Sequence, residues 1–242
     1  MQLYYITIAT LPHPVLEKLK ERVQKNGEAI EVLGQQENRQ IGWENQQRFG
    51  IKLREVADYL KRPHLNSDDL ILFTDAYDVA YFGNQLEIIN RYKTFRSPIV
   101  FGSEKECHPD PSRHNQYKNK GTEFPFLNSG LFIGTVKALR QCIDTYEYDD
   151  THDDQRFWTT QFFEHPELIA LDYYNKIFLN TSGFIENLFL FDIEENVALY
   201  KSSNPMFVHV NGPEKSFIKR LCGIKSSPNL STKLVVGGVN AP

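Results

Sequence analysis

Two carboxylates three residues apart, Asp75 and Asp78, are the first residues in this sequence whose type and spacing suit metal chemistry. They follow a short apolar run at residues 70–73, which predicts a strand buried on both faces. At the carboxyl end of such a strand, side chains point into the crevice where open α/β sheets bind ligands. Carboxylate oxygens suit Mg²⁺ or Mn²⁺, which keeps open positions for substrate phosphates. Taken alone, such a pair is more often made of turn formers, one of them capping the next helix, and the clusters that follow favour metal binding instead.

Four further clusters carry residues that bind ligands in other proteins. Small residues at 128–130 would let a ligand approach backbone donors, and Asp153 and Asp154 stand at a predicted helix start. Residues 209–213 end a predicted strand and open a helix, and Lys215 supplies an ammonium group just inside that helix. A metal–diphosphate site needs carboxylates, a donor-rich helix N-terminus and a nearby cation. The sequence supplies each of these at the end of a strand or helix.

The elements that must position these residues alternate between strand and helix through the first hundred residues. The pattern predicts strands at 3–8, 29–33, 70–73 and 98–101, and helices from Pro14 to Gly27, up to Pro63, and at 85–92. Such alternation gives βαβ units and a mostly parallel sheet flanked by helices. The first half therefore predicts an α/β fold of the nucleotide-binding type.

In the second half of the sequence, strand and helix patterns do not alternate regularly. We expect a strand on each side of residues 128–130, helices at 136–146, 155–163 and 214–221, and two or three short strands between 168 and 208. The polar run at 34–45 predicts a long functional or mobile loop. One domain at 1–225 is the simplest interpretation, followed by a loose tail at 226–242.

Composition excludes several classes of protein. The chain has 242 residues and a formal charge of −4, without a basic block, which argues against nucleic acid as the main partner. No apolar run approaches about 20 residues, so no membrane span is predicted. Three widely spaced cysteines exclude a disulfide framework or a C-x-x-C zinc site. The first residues lack the features of a signal peptide, which predicts a soluble intracellular protein or one that has lost its targeting segment.

Five motifs in a fixed order carry a resemblance to a known family. FTDAYDV, FGSEKECHPD, FLNSGLFIG, DDQRFW and HVNGPEK resemble the glycosyltransferase domain of the procollagen lysyl hydroxylase/glycosyltransferase family, from Tyr4 to about Asn229. The resemblance implies the GT-A fold, with a nucleotide-sugar half at 1–102 and an acceptor half at 103–225. It implies Mn²⁺-dependent transfer of glucose from UDP-glucose to galactosyl-hydroxylysine of collagen-like chains, with retention at the anomeric carbon. Members of the family work in the endoplasmic reticulum.

The resemblance also implies roles for single residues. The Mn²⁺ ligands would be Asp75, Asp78 and His209. Residues around the donor nucleotide would be Tyr77 stacked on uracil, Thr10 and Trp43 in the uridine pocket, and Asn211, Gly212 and Lys215 at the diphosphate. Residues near the transferred sugar or acceptor, with catalytic roles, would be Asp153, Asp154, Glu104 and Asn128. The structural alternatives are a core histidine, a half-buried tyrosine, a tryptophan that pins a loop, and acids that cap a helix.

The sequence departs from the family pattern at three places. His108 replaces the usual tryptophan, Val210 replaces a glycine, and Thr151-His152 interrupts the acidic run. These changes place acceptor identity in question more than donor or metal binding. Two other functions stay open: a galactosyl- or glucosyltransferase acting directly on hydroxylysine or another acceptor, and a catalytically silent UDP-sugar-binding accessory domain. A Rossmann dehydrogenase is disfavoured because no G-x-G-x-x-G follows the first strand.

Overall fold

The computed structural model describes residues 1–42, 48–118, 121–182, 189–213 and 215–224; Trp43 and the predicted tail lie outside these ranges. The strands are β1 Leu3–Ile8, β2 Glu31–Leu33, β3 Leu70–Asp75, β4 Val79–Tyr81, β5 Ile99–Glu104, β6 Phe126–Thr135, β7 Ile169–Leu171, β8 Phe178–Asn180, β9 Phe189–Asp192, β10 Val197–Tyr200 and β11 Phe207–His209. The helices are α1 Pro14–Lys25, α2 Gly50–Leu60, α3 Gln85–Tyr92, α4 Val136–Ile143, α5 Asp154–Glu164 and α6 Ser216–Leu221. No helix within these ranges is both long and apolar enough to span a membrane.

A six-stranded sheet in the order β2-β1-β3-β6-β5-β7 forms the centre of the molecule. β1 runs parallel to β2 and β3, β5 runs parallel to β7, and β6 runs antiparallel to both of its neighbours. The predicted α/β fold with a mostly parallel sheet is therefore confirmed. The predicted boundary at 102 and 103 falls inside β5, and the division into two functional halves stays a prediction.

Both faces of this sheet are covered, as the apolar run before Asp75 predicts. Ile71 and Phe73 of β3 belong to one apolar cluster, and Leu70 and Leu72 belong to another. The first cluster includes side chains of α2, α4 and α5, and the second includes side chains of α1 and α3. Because successive strand residues point to opposite faces, β3 is packed between the two helical layers.

A second, three-stranded sheet in the order β4-β11-β8 brings distant parts of the chain to the end of β3. β11 pairs with β4 in antiparallel fashion and with β8 in parallel fashion. In this register His209 lies opposite Val79 on one side and Asn180 on the other. Since Val79 directly follows Asp78, the pairing places His209 beside the predicted carboxylate pair.

Residues 128–130 lie within one continuous strand, β6, and the prediction of a separate strand on each side was wrong. Phe101 of β5 lies opposite Phe132, whereas Gly102 lies opposite Asn128. The pairing of β6 with β3 stays regular as far as Leu131. The pairing of β6 with β5 therefore contains a bulge opposite the step from Phe101 to Gly102, a feature that re-aims side chains beside functional sites.

Three other element predictions need correction. The helix predicted at 136–146 ends at Ile143, and the last helix begins at Ser216, so that Lys215 precedes it. Between 168 and 209 the described residues form five short strands where two or three were predicted. Each has three or four residues. That length is too short for a period-2 pattern to stand out.

Candidate metal centre and its surroundings

Asp75, Asp78 and His209 converge at the carboxyl end of β3. One ligand atom from each lies within 4.8 Å of the others. His209 Nε2 is 3.3 Å from Asp78 Oδ2 and 3.7 Å from Asp75 Oδ2. Asp75 ends β3, Asp78 closes the turn into β4, and His209 ends β11. Two carboxylates and a ring nitrogen that face one another in this way fit a divalent cation such as Mn²⁺.

Gly130 in the β6 bulge makes room for this convergence. A Cβ atom at this position would lie 2.5 Å from His209 Cε1 and 2.9 Å from Asp75 Oδ2. Any larger residue would therefore push the imidazole or the carboxylate aside. The small residues at 128–130 were predicted to let a ligand approach, but the structure shows Gly130 packed against His209 and Asp75 themselves.

Two lysines contact the carboxylates of the candidate metal centre. Lys52 Nζ lies 2.6 Å from Asp75 Oδ1 and 3.5 Å from Asp154 Oδ2. Lys215 Nζ contacts Asp78 Oδ2 and donates to the Val210 carbonyl at 3.0 Å. Lys215 was predicted for the diphosphate, and the structure places it against Asp78 of the candidate metal centre. Lys52 was not singled out from the sequence.

Burial and charge act in opposite directions on the pKa values of these groups. Burial raises the pKa of Asp78, but the neighbouring His209 and Lys215 outweigh that effect and lower it below its usual value. Burial lowers the pKa of Lys52, but Asp154 and Asp75 outweigh it and raise the pKa above its usual value. At neutral pH the site therefore holds an ionised Asp78 and a protonated Lys52.

The two acids at the start of α5 have different surroundings. Asp153 is the N-cap residue, and its side chain accepts a hydrogen bond from Arg156 N at 2.8 Å. Asp154 is buried at the centre, where its Oδ2 accepts a hydrogen bond from Ser129 Oγ at 3.0 Å. Burial raises the pKa of Asp154, although Lys52 lowers it. The structure thus joins Asp154 to Asp75 of the candidate metal centre through Lys52 and gives Asp153 a capping role.

Glu104 forms the centre of a second cluster of buried polar side chains. Its Oε1 accepts hydrogen bonds from Asn128 Nδ2 at 3.2 Å and Gln155 Nε2 at 2.7 Å, and its Oε2 accepts one from Asn211 Nδ2 at 2.8 Å. Burial raises the pKa of Glu104 to about 7, although these three hydrogen bonds lower it. Asn211 Oδ1 also accepts a hydrogen bond from Ser182 N at 2.7 Å. Residues predicted for the diphosphate and for the sugar therefore share one network.

Tyr77 is tied to the segment that follows β1. Its hydroxyl accepts hydrogen bonds from Thr10 N and Leu11 N, each at 2.9 Å, and donates to Leu11 O at 3.0 Å. The half-buried Tyr77 ring lies 4.9 Å from the His13 ring. The buried Thr10 hydroxyl has no hydrogen-bond partner among the described residues. Two of the residues predicted for the uridine pocket are thus in contact, and their binding roles stay predictions.

Two of the departures from the family pattern have a clear structural place. Val210 is buried in the apolar cluster beside Ala80 and Val208, and its N donates to the Asp78 carbonyl at 2.8 Å. The β-branched residue is therefore compatible with the turn that carries Asp78. Gly212, two residues after Val210, has a φ of 88°, which favours glycine. The carbonyl of His108 accepts a hydrogen bond from Gln155 Nε2 at 2.9 Å, which links this loop to the Glu104 cluster.

Comparison with known proteins gives the same family as the motifs. The profile of the PLOD GT domain matches residues 1–225. A multifunctional procollagen lysine hydroxylase and glycosyltransferase of Caenorhabditis elegans is 32% identical over 91% of this chain and 32% of its own length. The human enzyme of that name, LH3, is 33% identical over 69% of this chain and 23% of its own length. The chain thus spans about a third of the length of the first relative and less of the second.

A solved structure supports the fold independently of sequence. A glycosyltransferase involved in glycosylation of the major capsid protein of PBCV-1 superposes with a TM-score of 0.51. The superposition covers 93% of this chain and all of the other, at 11% identity, so it bears on the fold alone. The architecture is accordingly the GT-A type. With the match over residues 1–225, the chain belongs to the PLOD family of glycosyltransferase domains.

Proposed function

We propose that this chain is a metal-dependent glycosyltransferase that uses a UDP-sugar as donor. The observation that carries the proposal is the convergence of Asp75, Asp78 and His209 within 4.8 Å at the carboxyl end of β3. Ligands bind at this edge in open α/β sheets. A purely structural domain has no need for two acids, an imidazole and two lysines gathered at one sheet end.

The metal centre would act on the donor diphosphate. Mn²⁺, when bound, supplies positive charge for the diphosphate and the leaving UDP. Asp75, Asp78 and His209 would hold the cation. Lys215 is half exposed and contacts Asp78, so its ammonium group can add a second positive charge at the phosphates. Tyr77 and Thr10 would bind the uridine, and the backbone around Gly212 would lie at the diphosphate.

Asp154 is the acid best placed to act on the transferred sugar. It is buried, accepts a hydrogen bond from Ser129, and shares the Lys52 ammonium with Asp75. A retaining transferase that works by double displacement needs a carboxylate close to the anomeric carbon. Asp154 would serve as that carboxylate, or it would stabilise positive charge on the sugar in a front-face reaction. Glu104 and Asn128 would contact the sugar or the acceptor from the neighbouring network.

For the specific reaction we propose transfer of glucose from UDP-glucose to galactosyl-hydroxylysine of collagen-like chains. Support comes from the relatives, whose names describe procollagen lysine hydroxylases and glycosyltransferases. The acceptor would enter near Glu104 and the loop that carries His108. Because His108 replaces the tryptophan of the family, a related acceptor or direct transfer to hydroxylysine is the alternative that the assay must include.

The proposal is tested by UDP release from a panel of UDP-sugars with Mn²⁺, with and without galactosyl-hydroxylysine and hydroxylysine peptides. We expect UDP-glucose with the galactosylated peptide to give the highest rate. Asp75→Ala should abolish Mn²⁺-dependent release, whereas Asp58→Ala, which removes an exposed aspartate paired with Lys61, should not change it. A folded Asp75→Ala protein with wild-type activity would contradict the metal centre. No release from any UDP-sugar would favour a silent binding domain.

A further inference from the structure

The two ring nitrogens of His209 face different environments. Nε2 lies toward the carboxylates of Asp75 and Asp78, at 3.7 and 3.3 Å. Nδ1 lies 2.8 Å from Asn180 Oδ1. A neutral imidazole carries its proton on one nitrogen only, and a cation binds the other. His209 can therefore ligate a cation in this centre only if the proton is on Nδ1.

The Asn180 amide is oriented by a backbone group that cannot donate. Its Nδ2 lies 3.0 Å from the carbonyl oxygen of Ser103 in β5. A carbonyl oxygen only accepts hydrogen bonds, so the NH₂ group of Asn180 must face Ser103. The amide oxygen then faces His209 and accepts from the ring. This geometry places a proton on Nδ1 and leaves Nε2, which faces the carboxylates, as the nitrogen that can bind a cation.

Two glycines allow this chain of hydrogen bonds to fit. A Cβ at Gly102 would lie 2.7 Å from Asn180 Nδ2, and one at Gly130 would lie 2.5 Å from His209 Cε1. The two glycines belong to β5 and β6, near the bulge between those strands. Asn180 is fully buried and His209 nearly so. The amide and the ring are thus each confined by the backbone of a glycine.

We propose that Asn180 is a positioning residue that fixes the Nδ1-protonated tautomer and the ring orientation of His209 for cation binding. The inference rests on the proposed function for the identity of the bound cation. Asn180 contacts neither the diphosphate nor the sugar in this scheme, and it acts only through His209. Loss of such an outer partner typically weakens metal binding about 10- to 100-fold.

The tautomer is tested in the metal-free wild-type protein. Long-range ¹H–¹⁵N correlation spectra at a pH where the imidazole is neutral distinguish the two tautomers, and a His209→Gln spectrum assigns the signal. We expect a proton on Nδ1. A proton on Nε2 would overturn the inference. This measurement depends on neither metal binding nor activity, so it stands even if the proposed function fails or an Asn180 variant does not fold.

Binding of Mn²⁺ alone, measured by calorimetry, tests the consequence. Asn180→Ala should bind about 10- to 100-fold more weakly than wild type. Asn26→Ala is the matched control, because Asn26 Nδ2 likewise donates to a backbone carbonyl, that of Gly83, at 2.8 Å, at the end of α1. That variant should bind as wild type does. Wild-type affinity in a folded Asn180→Ala protein would overturn the inference, whereas absence of Mn²⁺ binding to wild type would overturn the proposed function.

Discussion

Replacing Lys52 by methionine removes one positive charge from the centre of the site and keeps most of the side-chain volume. The Lys52 side chain is 13% exposed, and its ammonium lies 2.6 Å from Asp75 Oδ1 and 3.5 Å from Asp154 Oδ2. The variant leaves both carboxylates without this counter-charge. Removing one partner of a buried ion pair costs about 3–5 kcal/mol, because the remaining charge stays buried.

The effect on stability has a defined size and pH dependence. For a chain of this length each kcal/mol lowers Tm by about 2–4 °C, so Lys52→Met should lose about 6–20 °C. Burial raises the pKa of Asp154, and Lys52 partly opposes that rise, so the pKa should be higher still in the variant. An acid whose folded pKa is raised destabilises the fold increasingly as pH rises above its unfolded pKa. The stability that Lys52→Met loses relative to wild type should therefore shrink on acidification and grow toward neutral pH.

Thermal unfolding followed by circular dichroism, with chelator present, measures this deficit. Lys61→Met is the matched control, since Lys61 ends the same helix and pairs with Asp58 at 3.0 Å on the surface. Loss of an exposed pair should cost no more than about 1 kcal/mol. Added Mn²⁺ should restore more stability to Lys52→Met than to wild type, because the cation replaces the missing charge beside Asp75. Equal losses in the two variants would refute the buried charge cluster.

Three other predictions concern the donor, the sugar and pH. Tyr77→Ala should weaken UDP binding about 5- to 150-fold if the ring stacks on the base, since such stacking is worth roughly 1–3 kcal/mol. Equal UDP affinities of wild type and Tyr77→Ala, measured by calorimetry, would exclude stacking. Asp154→Asn should lower kcat with little change in UDP affinity. Asp153→Asn should leave kcat nearly unchanged, because asparagine caps helices as well as aspartate does. Equal kcat values in the two variants would exclude a catalytic role for Asp154. Burial raises the pKa of Glu104 to about 7, so the stability of the protein should fall as pH rises from about 4.5 to 7. Denaturant unfolding measured at about pH 4.5 and pH 7 should show a smaller fall in stability for Glu104→Gln than for wild type. An unchanged fall would refute the raised pKa.

The strands and helices that could be predicted from the sequence are those marked by a continuous residue pattern or a strong start signal. The continuous apolar run before Asp75 predicted a strand buried on both faces, and β3 has apolar clusters on each side. Pro14 predicted the start of α1. The three-residue strands β8 and β11 carry no such signal, yet their pairing brings Asn180 and His209 together. That neighbourhood depends on long-range register, which local patterns do not encode.

The residues of the candidate site likewise fall into those with a local sequence signal and those without one. Asp75 and Asp78 were found because they are close in sequence and follow a buried strand. His209 was identified through the family resemblance, since an isolated histidine near a strand end is more often a core residue. Lys52 was missed because a lysine within an amphipathic helix predicts a solvated position. Its burial depends on contacts with Asp75 and with Asp154, which are distant from it in sequence.

The proposed function requires that one divalent cation binds between Asp75, Asp78 and His209. Anomalous diffraction at the manganese edge, from crystals grown with Mn²⁺ and UDP, tests it most directly. We expect an anomalous peak in contact with both carboxylates and with His209 Nε2, and loss of that peak in Asp75→Ala crystals. A peak that avoids His209, or an empty site under conditions in which the protein binds Mn²⁺ in solution, would contradict it.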